Sequence, residues 1–196
     1  MLWFMFNIAV FVSGKGSNLK ALFEKIDKEK IKIVAVVSNK KNCGAVEFAN
    51  QNSIPVFFIA EVSNDEFIDY KTLAKKFFDL NINLIVLAGF LKKIPDEFID
   101  LFNKKIINIH PALLPKFGGK GMYGMNVHKA VFESGEKVSG ATVHFVDKIY
   151  DNGEIIEQEK VDISDCNSPD EIAHKVLEVE HILLPKVVNN FFKSLQ

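Results

Sequence analysis

The sequence predicts an open α/β fold: a mostly parallel, twisted sheet with helices on both faces and an antiparallel strand pair near the C-terminus. Three observations carry this. Short apolar runs bounded by turn residues alternate with segments of helical period through the first half of the chain. Those runs are continuously apolar, as parallel strands covered on both faces are. Further on, "GATVHFVD" and "EIIEQEKVDI" alternate in polarity and are joined by the turn sequence "KIYDNG", so they read as a pair that doubles back.

The first strand is "FNIAVFV", Phe6 to Val12. The apolar residues before it raise the question of a signal peptide. The segment has no basic n-region, is too short to span a bilayer as a helix, and runs directly into "GKGSNLKAL", a turn and helix start. Met5 is an alternative natural start. Further strands are expected at "IKIVAVVS", "PVFFI", "NLIVLAG" and "IINIH", with helices at "SNLKALFEKIDKE", "GAVEFANQNS", "DEFIDYKTLAKKFFDL" and "PDEFIDLF" between them. A short helix, "NVHKAVFES", follows a glycine-rich stretch. In the last helix Ser168 is the cap, Pro169 occupies the first turn and Glu171 completes a capping box. It runs towards Leu195 with a kink expected at Pro185. No repeat, low-complexity tract or linker interrupts this order, so residues 1–196 are expected to form a single domain.

Composition excludes several classes of function. Hydrophobic residues make up 48 % and charged residues 25 %, an ordinary globular balance. A net charge of -1 provides no basic field for nucleic acid, so no such partner is expected and an anionic ligand needs a local site. No membrane partner is expected either. Cys43 and Cys166 give neither a disulfide framework nor a metal spacing, which suits a reducing cytoplasm, and no metal is expected.

Two stretches stand out as candidate sites. "SGKGSNLKAL" joins the first strand to the first helix. Gly14 and Gly16 permit positive φ and close backbone approach, and Ser17 or Asn18 can cap the helix. Free N–H groups there suit a phosphate, although the motif is neither GxGxxG nor a P-loop and also fits a plain tight turn. "IINIHPALLPKFGGKGMYG" places Asn108 and His110 on one side of a strand end, then breaks into prolines and glycines. Two polar side chains together at such an end favour a polar site over a satisfied core group. Asp151 in "YDNG" reads by itself as an Asx-turn residue. His144 reads as a packed strand histidine, and His128, His174 and His181 as surface or packing residues on helices. "KFGGKGMYG" fits either a lid or a surface loop.

In this order, "SGKGSNLKAL", "VVSNKKNCGAVEFA", "LIVLAGFLKKIP", "INIHPALLPKFGG", "GATVHFVD" and "YDNGEIIEQEKVDI" resemble the phosphoribosylglycinamide formyltransferase family of purine synthesis. The resemblance is collinear from Phe6 to the final helix and implies a Rossmann-like formyltransferase fold. It implies a cytoplasmic transferase that moves the formyl group of 10-formyltetrahydrofolate to glycinamide ribonucleotide, without a metal. It implies a catalytic set of Asn108, His110 and Asp151. Gly16, Ser17 and Asn18 are then expected to hold the substrate phosphate, and Glu180 to contact the ribose. Folate is expected against Phe90, Leu91 and Ile94 and against Ile149 and Tyr150. Two departures stand out: the "FGGKGMYGMN" stretch is longer and richer in glycine than is usual in the family, and Lys92 and Lys93 stand where an arginine is common nearby.

Formyl transfer must stabilise a tetrahedral oxyanion and relocate protons. The expectation is that a protonated His110 and the Asn108 amide donate to that oxygen, while Asp151 favours the imidazolium and orders a proton-carrying water. Related formyl-folate hydrolases and tRNA-directed formyltransferases carry further domains that these 196 residues do not supply. A non-enzymatic nucleotide-binding module would need the glycine turn but not the Asn–His–Asp set. Transfer to glycinamide ribonucleotide is the expected activity, with the hydrolase as the alternative.

Overall fold

The computed structural model describes residues 5–193. The expectations placed on residues 1–4 and on a helix end at Leu195 lie outside them. The strands are β1 (Phe6–Val12), β2 (Ile31–Ser38), β3 (Val56–Phe58), β4 (Ile82–Leu87), β5 (Ile106–His110), β6 (Val138–Phe145) and β7 (Ile155–Asp162). They form one sheet in the order β3-β2-β1-β4-β5-β6-β7. The first five are mutually parallel, and β6 and β7 are antiparallel to their neighbours. The helices are α1 (Ser17–Lys25), α2 (Gly44–Gln51), α3 (Tyr70–Asp79), α4 (Asp96–Leu101), α5 (Met125–Glu133) and α6 (Pro169–Lys193). This is the open α/β architecture that the alternating pattern predicts, in the Rossmann-like form that the resemblance implies.

The strand period divides the core between the two faces of the sheet. On β1, Phe6, Ile8, Val10 and Val12 enter a cluster with residues of α1, α2, α5 and α6, while Ala9 and Phe11 enter a second cluster with residues of α3 and α4. Both sets are fully buried, which is why the strand shows no polar alternation. Phe11 meets the edges of Phe77, Phe90 and Phe98 with ring centroids 5.2–6.3 Å apart. Burying such a ring contributes roughly 1.5–3 kcal/mol.

The largest departures from the sequence reading are at the ends of α3 and α1, and a capping contact at α6 differs in detail. The third helix begins at Tyr70, because the Asp69 carboxylate accepts the Thr72 N–H at 2.7 Å and caps it there. Before it, Asn64 Oδ1 accepts the Glu66 and Phe67 N–H groups in a turn, and Ile68 bridges to Ile59. α1 stops at Lys25 rather than running to Glu29; there the Asn189 side chain accepts the Asp27 N–H and Asp27 accepts the Glu29 N–H. At the start of α6, Ser168 Oγ accepts from Glu171 N–H, but the Glu171 carboxylate reaches back to the Asn167 N–H, one residue earlier than in the usual box. α6 runs through Pro185 as one helix. Proline has no N–H to offer the carbonyl of His181, and Lys25 Nζ donates to that carbonyl instead at 3.0 Å.

The topology marks where a ligand should lie. β1 and β4 are neighbours, and the chain proceeds outward from them in opposite directions, so a crevice opens beyond their carboxyl ends. Ser13 closes its floor. Its N–H donates to the Gly89 carbonyl, and its Oγ donates to Asn39 and accepts the Leu91 N–H at 3.0 Å.

Candidate active site

The turn from β1 to α1 is built around Gly16, which has φ +77 and lies against α2. A Cβ at this position would stand 2.7 Å from Ala45 Cα, so only glycine allows both the turn and the contact. Gly16 itself is the cap residue, and no side chain caps the helix. The sequence reading gave that task to Ser17 or Asn18. Because neither takes it, the first N–H groups of α1 remain available to an anion. The Asn18 side chain turns aside instead, and its Nδ2 donates to Glu180 Oε2 at 2.9 Å. Burial pushes the Glu180 carboxyl up to about 7, against the smaller opposing effect of the Asn18 bond.

At the end of β5, Ile107 and Ile109 enter the larger core cluster, and Asn108 and His110 face the other way. Asn108 lies opposite His144 of β6. His144 Nδ1 is 2.8 Å from the Phe145 carbonyl, which can only accept, so the hydrogen of the neutral ring sits on Nδ1. Nε2 then accepts from Asn108 Nδ2 at 3.1 Å, which fixes the amide orientation and leaves the second Nδ2 hydrogen unclaimed by His144. The turn after β5 is held from below. Thr142 Oγ1 donates to the Ala112 carbonyl and accepts the Leu114 N–H, and Gln158 donates to both Thr142 Oγ1 and the Leu114 carbonyl.

Asp151 has φ +53 in the turn between β6 and β7, yet the Asx role belongs to Asp147, which accepts the Ile149 N–H and the Asn152 amide. Asp151 is thereby free to face the histidines. Its Oδ2 lies 3.6 Å from His110 Nδ1 and its Oδ1 lies 3.6 Å from His144 Nε2, and its side chain is 11 % exposed. At this distance they are longer than hydrogen bonds, and they become charge contacts only when a ring is protonated. Burial alone would raise the Asp151 pKa; the neighbouring His144 and His110 and the Gly119 N–H, which donates at 2.9 Å, together hold it below the usual carboxylate value. Gly153 closes this turn so tightly that a Cβ would fall 1.8 Å from the Phe145 carbonyl oxygen.

Burial and charge pull His110 in opposite directions. Burial lowers its pKa, and the opposing pull of Asp151 and of the Phe117 carbonyl does not restore it. The net direction favours the neutral ring in the free site.

All twelve residues singled out from sequence line one cavity of about 600 Å³: Asn108, His110 and Asp151; Gly16, Ser17, Asn18 and Glu180; and Phe90, Leu91, Ile94, Ile149 and Tyr150. Phe90 and Ile94 are buried, while Leu91, Ile149 and Tyr150 expose apolar surface to the cavity mouth. The glycine-rich loop contributes Gly119 to Gly124 to the same wall. Two histidines that were read as packing residues also line it, His144 and His128. His128, on α5, is buried, its Nδ1 has no hydrogen-bond partner, and burial together with the nearby His110 pushes its pKa down to about 4. Their place in the site depends on β5–β6 register and on α5 packing, which no local pattern encodes.

The formyl transferase family matches residues 6–188. The phosphoribosylglycinamide formyltransferase of Arabidopsis thaliana, described as chloroplastic, is 43 % identical over 92 % of this chain and 63 % of its own length. That of Haemophilus influenzae is 36 % identical over 95 % of this chain and 87 % of its own. The chain thus spans less than two thirds of the plant relatives it matches. Among solved structures, the phosphoribosylglycinamide formyltransferase of Anaplasma phagocytophilum superposes with a TM-score of 0.85 at 30 % identity, covering 96 % of this chain and 87 % of that one. A match across nearly the whole sheet, with the Asn–His–Asp cluster and the uncapped glycine turn inside it, establishes that this chain belongs to the formyl transferase family.

Proposed function

We propose that this protein transfers the formyl group of 10-formyltetrahydrofolate to the amine of glycinamide ribonucleotide, as a single formyltransferase domain over residues 1–196. The observation that carries this is the shared cavity, in which an uncapped helix start, a buried carboxylate, an apolar wall and a polar cluster meet. In this reading the N–H groups at Gly16, Ser17 and Asn18 take the phosphate, because they are free donors at the positive end of a helix. Glu180 accepts from the ribose hydroxyls. Phe90, Leu91 and Ile94 on one segment, with Ile149 and Tyr150 on another, cover the folate ring, since a planar heterocycle gains most from apolar walls with few fixed polar groups.

The chemistry then needs little beyond placement. The amine attacks the formyl carbon, and the formyl oxygen becomes an oxyanion. The second Asn108 N–H is a donor aimed by His144, and a fixed donor of this kind is worth roughly 10²–10³ in turnover. As the carbon–nitrogen bond to the folate breaks, the proton shed by the amine is returned to the departing nitrogen. Asp151, held ionised, stabilises whichever neighbour carries that proton in transit. Small-molecule substrates, no nucleic-acid or membrane partner and a cytoplasmic location complete the proposal. Among the described residues no helix is long and apolar enough to cross a membrane.

The test is acceptor dependence. Given 10-formyltetrahydrofolate alone, the protein should release little formate. Addition of glycinamide ribonucleotide should start folate release, because a held amine has an effective concentration that bulk water cannot match. Formylated ribonucleotide and tetrahydrofolate should form one to one. Formate release at the same rate with and without acceptor would make the protein a hydrolase.

A further inference from the structure

His128, near the start of α5, is only 7 % exposed and borders the cavity. Neither of its ring nitrogens bonds to a described residue, and Nδ1 is sealed from solvent as well. A buried polar group without a partner costs roughly 1–3 kcal/mol, which an apolar ring in the same place would not incur. Packing therefore does not account for an imidazole here, and a ligand that completes it would. The sealed nitrogen also tells which atom is available. An N–H shut away without an acceptor is the costlier orphan, so the hydrogen of the neutral ring belongs on Nε2 and Nδ1 keeps a bare lone pair. A doubly protonated ring carries the same Nε2 hydrogen, so the donor exists in either state.

The two faces of the sheet indicate what this donor meets. Leu19 of α1, Val127 of α5 and Leu183 of α6 pack in the larger cluster on one face, while Phe90 and Ile94 belong to the smaller cluster on the other. The Gly16–Asn18 turn, Glu180 and His128 are thus carried by elements of one face, and the apolar wall at Phe90 and Ile94 by the other. His110 is close enough to His128 for charge on one ring to disfavour charge on the other. In the formyl-transfer reading, on which this inference rests, phosphate and ribose fill the first half, and the amine reaches the Asn108–His110 end. The group between ribose and amine is the glycyl amide, and it crosses the stretch that His128 borders.

We propose that His128 recognises the acceptor: its Nε2–H donates to the carbonyl oxygen of the glycyl amide and so sets the reach of the amine toward the formyl carbon. The ring suits an uncharged group. Burial and His110 push its pKa down to about 4, against the weaker pull of Asp170, so it supplies a donor without a charge. A phosphate would gain more from a cation, and ribose hydroxyls find a better acceptor in Glu180.

Ribose 5-phosphate separates the amide from the rest of the acceptor, since it keeps the phosphate and the ribose and lacks the amide. In calorimetry, His128→Phe should weaken glycinamide ribonucleotide roughly three- to tenfold, the net worth of one hydrogen bond, and ribose 5-phosphate by less than about twofold. His128→Gln offers a side-chain N–H at a similar reach and should restore glycinamide ribonucleotide to within about twofold of the unaltered protein. Equal losses for both ligands, no loss for either, or a Gln variant as weak as the Phe variant overturns the inference and leaves the transferase reading standing. If the unaltered protein does not bind glycinamide ribonucleotide, that reading fails and the inference with it. Where a variant misfolds, a crystal structure of the unaltered protein with glycinamide ribonucleotide decides. Nε2 within about 3.2 Å of the amide oxygen supports the contact, and a separation beyond about 3.5 Å overturns it.

Discussion

Asp151 and Glu180 stand in the wall of one cavity, both shielded from water, and burial pushes both toward the protonated form. They end on opposite sides of the usual carboxylate value. Asp151 accepts a backbone N–H at 2.9 Å and lies 3.6 Å from two imidazoles that favour its ionised form when they carry charge, and together these outweigh burial. Among the described residues Glu180 has one amide N–H at 2.9 Å and no cation acting on it, and burial wins. The difference shows that depth alone does not set the charge of a carboxylate; the number and charge of its donors do. It also separates two tasks. A carboxylate held ionised beside imidazoles suits proton handling, and one poised near neutrality, with spare acceptor capacity, suits a ligand that brings hydroxyl donors.

The largest expected effect is at the ionised partner. Asp151→Asn keeps the shape and the turn but removes the charge that steadies a protonated neighbour. Turnover should fall by roughly 10²–10⁴, the range for general acid–base assistance, with ribonucleotide affinity within a few-fold of normal. Steady-state kinetics with binding measured by calorimetry would check this. A loss confined to affinity would erase the proposed division between the two carboxylates.

How much of this was legible in the sequence follows the same division between local and non-local information. The strands were legible because Phe6 to Val12 and its counterparts are apolar on both faces, which is a property of the segment itself. The start of α3 was not, because "DEFID" offers several acidic caps, and the Asp69 cap forms just after the non-local Ile59–Ile68 bridge. Asn108 and His110 were legible as two polar side chains where the strand pattern calls for apolar ones. Asp151 was legible only through family resemblance: its local sequence describes a turn correctly, and the Asx role simply falls to Asp147. Glu180 and the apolar residues of the cavity wall came from resemblance as well. His144 and His128 were missed, since nothing near either residue records which strand or helix it will face.

A smaller effect is expected at the turn beneath Glu180. Gly16→Val places a branched side chain at φ +77 against Ala45, so α1 must shift and its free N–H groups move with it. Ribonucleotide affinity should drop roughly 10–100-fold, the equivalent of one charge-assisted hydrogen bond, with some loss of thermal stability. Folate affinity should change by less than about threefold, because its expected wall lies on other segments. Calorimetry with each ligand separately would tell; equal losses for both would place the phosphate elsewhere or show general unfolding.

The smallest effect should be found at Glu180 itself, and it should depend on pH. A carboxyl poised at about 7 is mostly protonated at pH 6 and mostly ionised at pH 8. Hydroxyl donors prefer the ionised form, so ribonucleotide binding should tighten as pH rises through that range. Glu180→Gln has nearly the same shape but cannot ionise. Its affinity should match the unaltered protein within about threefold at pH 6 and fall to roughly a tenth of it at pH 8, the usual gap between a charged and a neutral acceptor. The substrate phosphate also titrates near pH 6, but it does so against both proteins and cancels in the ratio. Stability should run the other way. Because folding raises the Glu180 pKa, its contribution is fully present below the unfolded carboxyl value and is lost as pH rises through about 7, so Glu180→Gln should become relatively more stable toward pH 8. An affinity ratio held at roughly a tenth from pH 6 to pH 8, with a flat stability ratio, would mean that Glu180 stays ionised throughout, and the contrast with Asp151 would collapse to one of position.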